Sequence, residues 1–251
     1  MKSLENRKGN YFFLTGSAPY SSGVAAADGH EILHATLKSP IPYRRGFDLI
    51  ERHLESIGRP RHALCAVELR CPKPFSFDGF DRFNEGYQKL LADWDLLVDG
   101  NNPVARTNIA PEVGPPEETL LYAFSYTVRR ENALDFRTFV IAGGGEIREG
   151  KRSADAIVRY GETTAEAMGE KAAWVMELMR ARLDGLKLTW SDVTAVDIYT
   201  VHPIHPFLPE AVLGAIGMAA AYGIRWFYGR PPIAGLEYEM DMRGIRQDMV
   251  L

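Results

Sequence analysis

The chain has 251 residues, 46% of them hydrophobic and 25% charged, with a formal net charge of -4. That composition belongs to folded globular chains and excludes disorder as the main theme, while the mild acidity leaves no electrostatic footprint for nucleic acid. No apolar run approaches the roughly 20 residues that cross a bilayer, no apolar segment follows the charged start Met1-Lys-Ser-Leu-Glu-Asn-Arg-Lys8, and two cysteines make no disulfide framework, so a cytoplasmic home is expected.

In chain order, Tyr11-Phe-Phe-Leu-Thr15 reads as a short strand ending at Gly16, followed by the turn-rich Ser17-Ala-Pro-Tyr-Ser-Ser-Gly23 and a second strand over 31–37. Phe47, Ile50, Leu54 and Ile57 recur at helical spacing with Glu51, Arg52 and Glu55 opposite, and Gly58 with Pro60 supplies the stop. Residues 63–70 predict a strand in which Ala63, Cys65, Val67 and Leu69 alternate against a more polar set, with Cys65 in the core. Asp78 is expected to cap a second helix carrying Phe80, Phe83, Tyr87, Leu90, Leu91 and Trp94 on one face. The turn Asp99-Gly-Asn-Asn-Pro103 then delivers the chain to Arg106, and a strand over 120–128 closes the first half. The polar bridge Arg129-Arg-Glu-Asn132 is the expected boundary.

The same order repeats. Phe139-Val-Ile-Ala142 predicts a strand running into three glycines, with a partner strand over 156–160. Thr163 and Glu166 have capping-box spacing, and Met168, Ala172, Val175, Met179 and Leu183 form one stripe ending at Gly185. A strand over 192–201 and a helix over 209–221, weakened by Gly214 and Gly217, complete the second set. Strand, strand, helix, strand, helix, strand occurs twice at a spacing of roughly 120 residues, which predicts two tandem α+β domains over 1–130 and 131–251.

Certain residues carry a resemblance. Ala18-Pro-Tyr-Ser-Ser-Gly-Val24 resembles an early Gly-Pro-Tyr-Ser-Gln-Ala-Val turn of the Rid (YjgF-like) reactive-intermediate deaminases. Phe80-Asp-Arg-Phe-Asn-Glu-Gly-Tyr87 resembles the second helix of that family, and Pro103-Val-Ala-Arg-Thr107 its Pro-Ala-Arg-Ser/Thr signature. The likeness covers about 10–128, and continues more faintly through Phe139-Val-Ile-Ala-Gly-Gly, 194–201, Arg225 and Gly235-Leu-Glu-Tyr-Glu. It implies a chorismate-mutase-like α+β fold in each half, a mixed sheet with two helices on one face. It also implies hydrolysis of a small carboxylate-bearing enamine or imine to the 2-oxo acid and ammonia, without metal or organic cofactor. Single-domain relatives with clefts between three protomers imply a homotrimeric habit and a site composed across the two halves.

On that likeness Arg106 anchors the substrate carboxylate, Glu239 or a water it holds serves the proton, and Tyr20, Asn84, Thr107 and Arg225 contact substrate. The family's last-strand glutamate has no counterpart in the first half, where Tyr122 and Phe124 stand in its place. The second half has Glu237 and Glu239 there, but lacks the helix asparagine and the Ala-Pro-Tyr turn.

Plainer readings stand beside these. Arg106 fits an ion pair. Arg225 fits a stack with Trp226. Glu237 and Glu239 fit an exposed sheet face, Asn84 a helix-surface amide, and Tyr20 an aromatic filler. His202 and His205 lack companion ligands for a metal, Gly143-Gly-Gly145 reads as a strand-end turn or bulge, and Cys71 has no activating base. A chorismatase-like hydrolase and a ligand-binding or regulatory protein without catalysis are the alternatives to the deaminase.

Overall fold

The computed structural model describes all residues except 18, 131–135, 149 and 152. The strands, in chain order, are β1 (Ser3–Asn6), β2 (Tyr11–Leu14), β3 (Gly23–Ala26), β4 (His30–Pro42), β5 (Leu64–Arg70), β6 (Ala105–Pro111), β7 (Leu120–Arg129), β8 (Phe139–Gly145), β9 (Ala195–Tyr199), β10 (Arg225–Phe227), β11 (Gly229–Arg230), β12 (Glu239–Gly244) and β13 (Asp248–Val250). Three long helices accompany them: α1 (Tyr43–Ser56), α2 (Phe77–Asp93) and α3 (Ala165–Gly185).

The strands form two mixed sheets, one ordered β1-β2-β3-β8-β12-β9-β10 and the other β11-β6-β5-β7-β4-β13. Helices α1 and α2 cover the outer face of the six-stranded sheet through Phe47, Ile50, Leu54, Tyr87 and Leu91. Helix α3 covers the seven-stranded sheet through the expected stripe from Met168 to Leu183. The inner faces meet in a third cluster that includes Tyr11, Val24, Ile32, Cys65, Ala105 and Ala142. A sheet buried on both faces loses the in-out polarity that a one-sided strand shows. This explains why every residue of β5 is buried. Its register also shifts between Leu64 and Ala66, sending Leu64, Val67 and Leu69 to the helices and Cys65 with Ala66 between the sheets.

The sheets do not follow the boundary expected at 129–132, part of which lies outside the described residues. Strands β1 to β3 pair into the sheet of the second half, through β3 against β8, and β11 and β13 pair into the sheet of the first, against β6 and β4.

Several local expectations are corrected. Ser76, not Asp78, caps α2 by accepting from the Gly79 amide at 3.1 Å, which leaves Asp78 in the first turn where the helix dipole favours an acid. Thr164, not Thr163, caps α3, accepting from Ala167 at 3.2 Å. Residues 156–160 form no strand; Ile157 makes a single bridge to Ile147. The helix expected over 209–221 breaks into a π-type turn at Leu208–Leu213, one α turn and a 3-10 stretch over Gly217–Tyr222, with Gly217 at φ +56°. The Asp99-Gly100 turn forms as expected: both residues have positive φ, and Val98 and Asn101 exchange two backbone hydrogen bonds of 2.9 Å.

Candidate active site

A cavity of about 480 Å³ opens where the two halves of the chain meet. Residues 15–17, 19, 20 and 22, the first turns of α2 and β6 line it from one half, and the glycine run of β8, α3 and the start of β12 from the other.

Arg106 enters from β6, which runs parallel to β5 with Arg106 opposite Val67. The segment leading to it is strapped to the Tyr20 loop. Ser21 N donates to Val104 O at 3.1 Å, Ser21 Oγ to Pro103 O at 3.1 Å, and Asn102 Nδ2 to Pro19 O at 2.6 Å. These bonds hold the Tyr20 ring 4.9 Å from the guanidinium carbon, while Tyr87 approaches it to 4.6 Å and Phe83 and Phe80 to 5.4 and 5.5 Å. Asn84 of α2 accepts from Arg106 Nη2 at 2.7 Å. Arg106 is only 3% exposed, and burial draws its pKa down from the usual value, against the pull of Tyr87, Tyr20 and Glu239. Its Nη1 has no hydrogen-bond partner among the described residues. One arm of the fork is therefore tied to the helix and the other is left for an acceptor.

Glu239 is brought in from the opposite wall. It opens β12 opposite Gly145, and a buried pair fixes the backbone just before it: Glu146 accepts from the Glu237 and Tyr238 amides at 2.6 and 3.1 Å, and Lys171 of α3 donates to Glu146 at 3.2 Å. In the β8–β12 pairing Gly144 faces Met240 and Ile141 faces Met242, so Ala142 and Gly143 together stand opposite Asp241. This is a bulge inside the glycine run. A β carbon on Gly143 would collide with Glu239 Oε1 and come within 3.1 and 3.2 Å of the Thr107 Cγ2 and Oγ1. Only glycine leaves room for the carboxyl there. Arg182 Nη1 holds the bulge by donating to the Ala142 and Gly143 carbonyls at 2.8 and 3.2 Å.

Glu239 is 4% exposed, and burial, reinforced by Asp241 and Glu146, holds its carboxyl well above the ordinary carboxylate range despite Arg182 and Arg106. A carboxyl kept neutral in this way can donate a proton as well as accept one.

The residues singled out in the sequence divide into three groups. Arg106, Tyr20 and Glu239 line the cavity together. Asn84 braces Arg106 from α2, and Thr107 turns to the inner side of β6, against Gly143. Arg225 is not part of the lining: it is exposed on β10, with Nε and Nη2 on Asp197 at 2.6 and 3.0 Å. Trp226 does not stack on it; its Nε1 donates to Thr200 O at 2.9 Å. The exposed-face alternative for Glu239 is excluded by its burial.

Sequence reasoning passed over Asn108 and Arg182, which also line the cavity. Asn108 was legible as the residue two after Arg106 on one strand; Arg182, on a polar position of a helix, had no such signal. It also passed over a buried charge cluster between the sheets, where Glu68, Asp197 and Asp241 place carboxylate oxygens within 4.8 Å of one another. That donor set suits a cation, and a guanidinium fills the role: Arg243 Nη1 lies 3.4, 3.0 and 3.5 Å from the three. Tyr199 adds a hydrogen bond to Asp241 at 2.8 Å. His202 pairs with Glu237 at 2.9 Å. Both cysteines are buried, and burial raises the Cys71 thiol to about 12, against nucleophilic use. No helix among the described residues is long and apolar enough to cross a membrane.

Comparison with known proteins adds an independent line. A family model described as 2-aminomuconate deaminase CnbZ matches residues 3–249. The 2-amino-5-chloromuconate deaminase of Comamonas testosteroni is 41% identical over 245 residues, covering 97% of this chain and 96% of that protein. Among solved structures, a chorismatase aligns over 89% of this chain and 77% of its own at 12% identity and a TM-score of 0.48. A putative endoribonuclease from Thermotoga maritima aligns over 55% and 92% at 15% identity and a TM-score of 0.29.

Proposed function

Since the chain belongs to the 2-aminomuconate deaminase family CnbZ, we propose that it hydrolyses an amino-substituted muconate, an enamine dicarboxylate, to the 2-oxo acid and ammonia. The observation that carries this reading is the convergence of Arg106 and Glu239, from opposite halves of the chain, on one cavity.

The chemistry asks little of the protein, because an enamine and its imine tautomer react with water unaided. The free Nη1 arm of Arg106 takes the carboxylate beside the amino-bearing carbon. Protonation of the enamine at carbon gives the imine. Water then adds to the C=N carbon, a proton passes to nitrogen, and the C–N bond breaks as the C=O bond forms, releasing ammonia. Glu239, neutral at rest, supplies the proton to carbon or nitrogen and recovers it from the attacking water, a contribution of about 100- to 10,000-fold. Tyr20 roofs the guanidinium, Asn84 holds it and Thr107 packs behind the bulge that seats Glu239. In this reading the halves 1–130 and 131–251 are Rid-like units fused in tandem and interleaved by strand exchange, working in the cytoplasm as a homotrimer.

The test is 2-aminomuconate formed in place by a coupled enzyme, with ammonia and the semicarbazone of the oxo product followed together. Equal yields of both, faster than the uncatalysed reaction, support the proposal. Binding of muconate without any acceleration would replace it with the ligand-binding alternative.

A further inference from the structure

Asn108 stands two residues after Arg106 on β6, so the two side chains leave the same face of the strand about 6.6 Å apart along it. It lines the cavity and is 3% exposed. Neither its amide oxygen nor its amide nitrogen has a hydrogen-bond partner among the described residues. Leaving such a group unsatisfied in a buried site carries its full desolvation cost, which a leucine of similar size would avoid. A polar group kept at that cost beside the cavity needs a partner from outside the chain.

On the deaminase reading above, we propose that Asn108 determines specificity by recognising the amino group next to the carboxylate on Arg106. Oδ1 accepts an N–H of the substrate amine, and Nδ2 donates to an adjacent substrate oxygen. The acceptor end is the informative one. A plain dicarboxylate offers oxygens at every polar position and no donor, so only Oδ1 can distinguish the amine-bearing acid from its unsubstituted counterpart.

The experiment compares KM for 2-aminomuconate with the inhibition constant of cis,cis-muconate, which has both carboxylates and no amine. In Asn108→Leu the preference for the amine over muconate should fall by about tenfold, the worth of the Oδ1 hydrogen bond, on top of a loss of the Nδ2 donor that weakens both ligands alike. In Asn108→Asp, which keeps the acceptor, both ligands meet the same added charge and the preference should persist. Asn108→Ala gives the same comparison if leucine is not accommodated. An active wild type whose preference is unchanged in Asn108→Leu and Asn108→Ala overturns the inference and leaves the deaminase standing, as does equal weakening of both ligands. A wild type that turns nothing over removes the deaminase reading, and this assignment with it.

Discussion

Replacing Arg106 with methionine separates anchoring from folding. The side chain keeps its length and greasy stem but loses the fork. In the resting protein the loss is nearly balanced: the bond to Asn84 at 2.7 Å is worth about 1.5–3 kcal/mol, and the surrounding rings together add about 2. Against this, a buried guanidinium carries a desolvation cost of several kcal/mol, which the substitution removes. Net stability should move by no more than about 2 kcal/mol, or roughly 4–8 °C in Tm. Catalysis has no such compensation. The charge-assisted hydrogen bond from the free Nη1 arm to a carboxylate is worth about 1.5–3 kcal/mol, so kcat/KM should fall by about 10- to 10²-fold. The assay is ammonia release at subsaturating substrate, with thermal melts and far-UV circular dichroism on the same preparation. A well-folded variant within about threefold of wild type would refute Arg106 as the anchor.

Glu239→Gln should lose turnover by about 10²- to 10⁴-fold while gaining stability on the alkaline side. The folded state holds a proton on this raised carboxyl that the unfolded chain gives up near pH 4, so native stability from this group falls as pH climbs above that value. The glutamine removes that slope, which melts at pH 5 and pH 8 would reveal; an unchanged slope would argue against a neutral Glu239. Arg243→Met should cost about 3–5 kcal/mol, because it strips the shared cation from three carboxylates within 4.8 Å. Burial with Asp197 and Glu68 nearby raises Asp241 to about 8, so its share of this loss should appear as pH rises from about 7 to about 9, where the wild-type carboxyl ionises beside Arg243. Denaturant unfolding at both ends of that range checks it.

The elements read well from the chain where a single rule governed them. Helices α1 and α3 each show one uninterrupted apolar stripe, and the Asp99-Gly100 turn is dictated by residues that tolerate positive φ. The reading failed where two rules competed. Gly214 and Gly217 compete with a helical stripe, and the backbone yields to the glycines. In β5, burial on both faces and a register shift remove the alternation by which a strand is assigned to a side.

For the site, sequence alone determined the parts that are local. The proline turn before Arg106, the helix that offers Asn84 three residues before Tyr87, and the strand carrying Glu239 are all properties of short stretches. Only the tertiary structure decided which parts meet. Arg106 and Glu239 lie 133 residues apart and share a cavity because β1–β3 and β11 cross between the halves. Arg225, as promising in the sequence as Arg106, is drawn instead to Asp197. The physical reason is that a charge takes the partner the fold brings within reach, and for β-sheets that partner is set by long-range pairing, to which no local pattern of residues gives access.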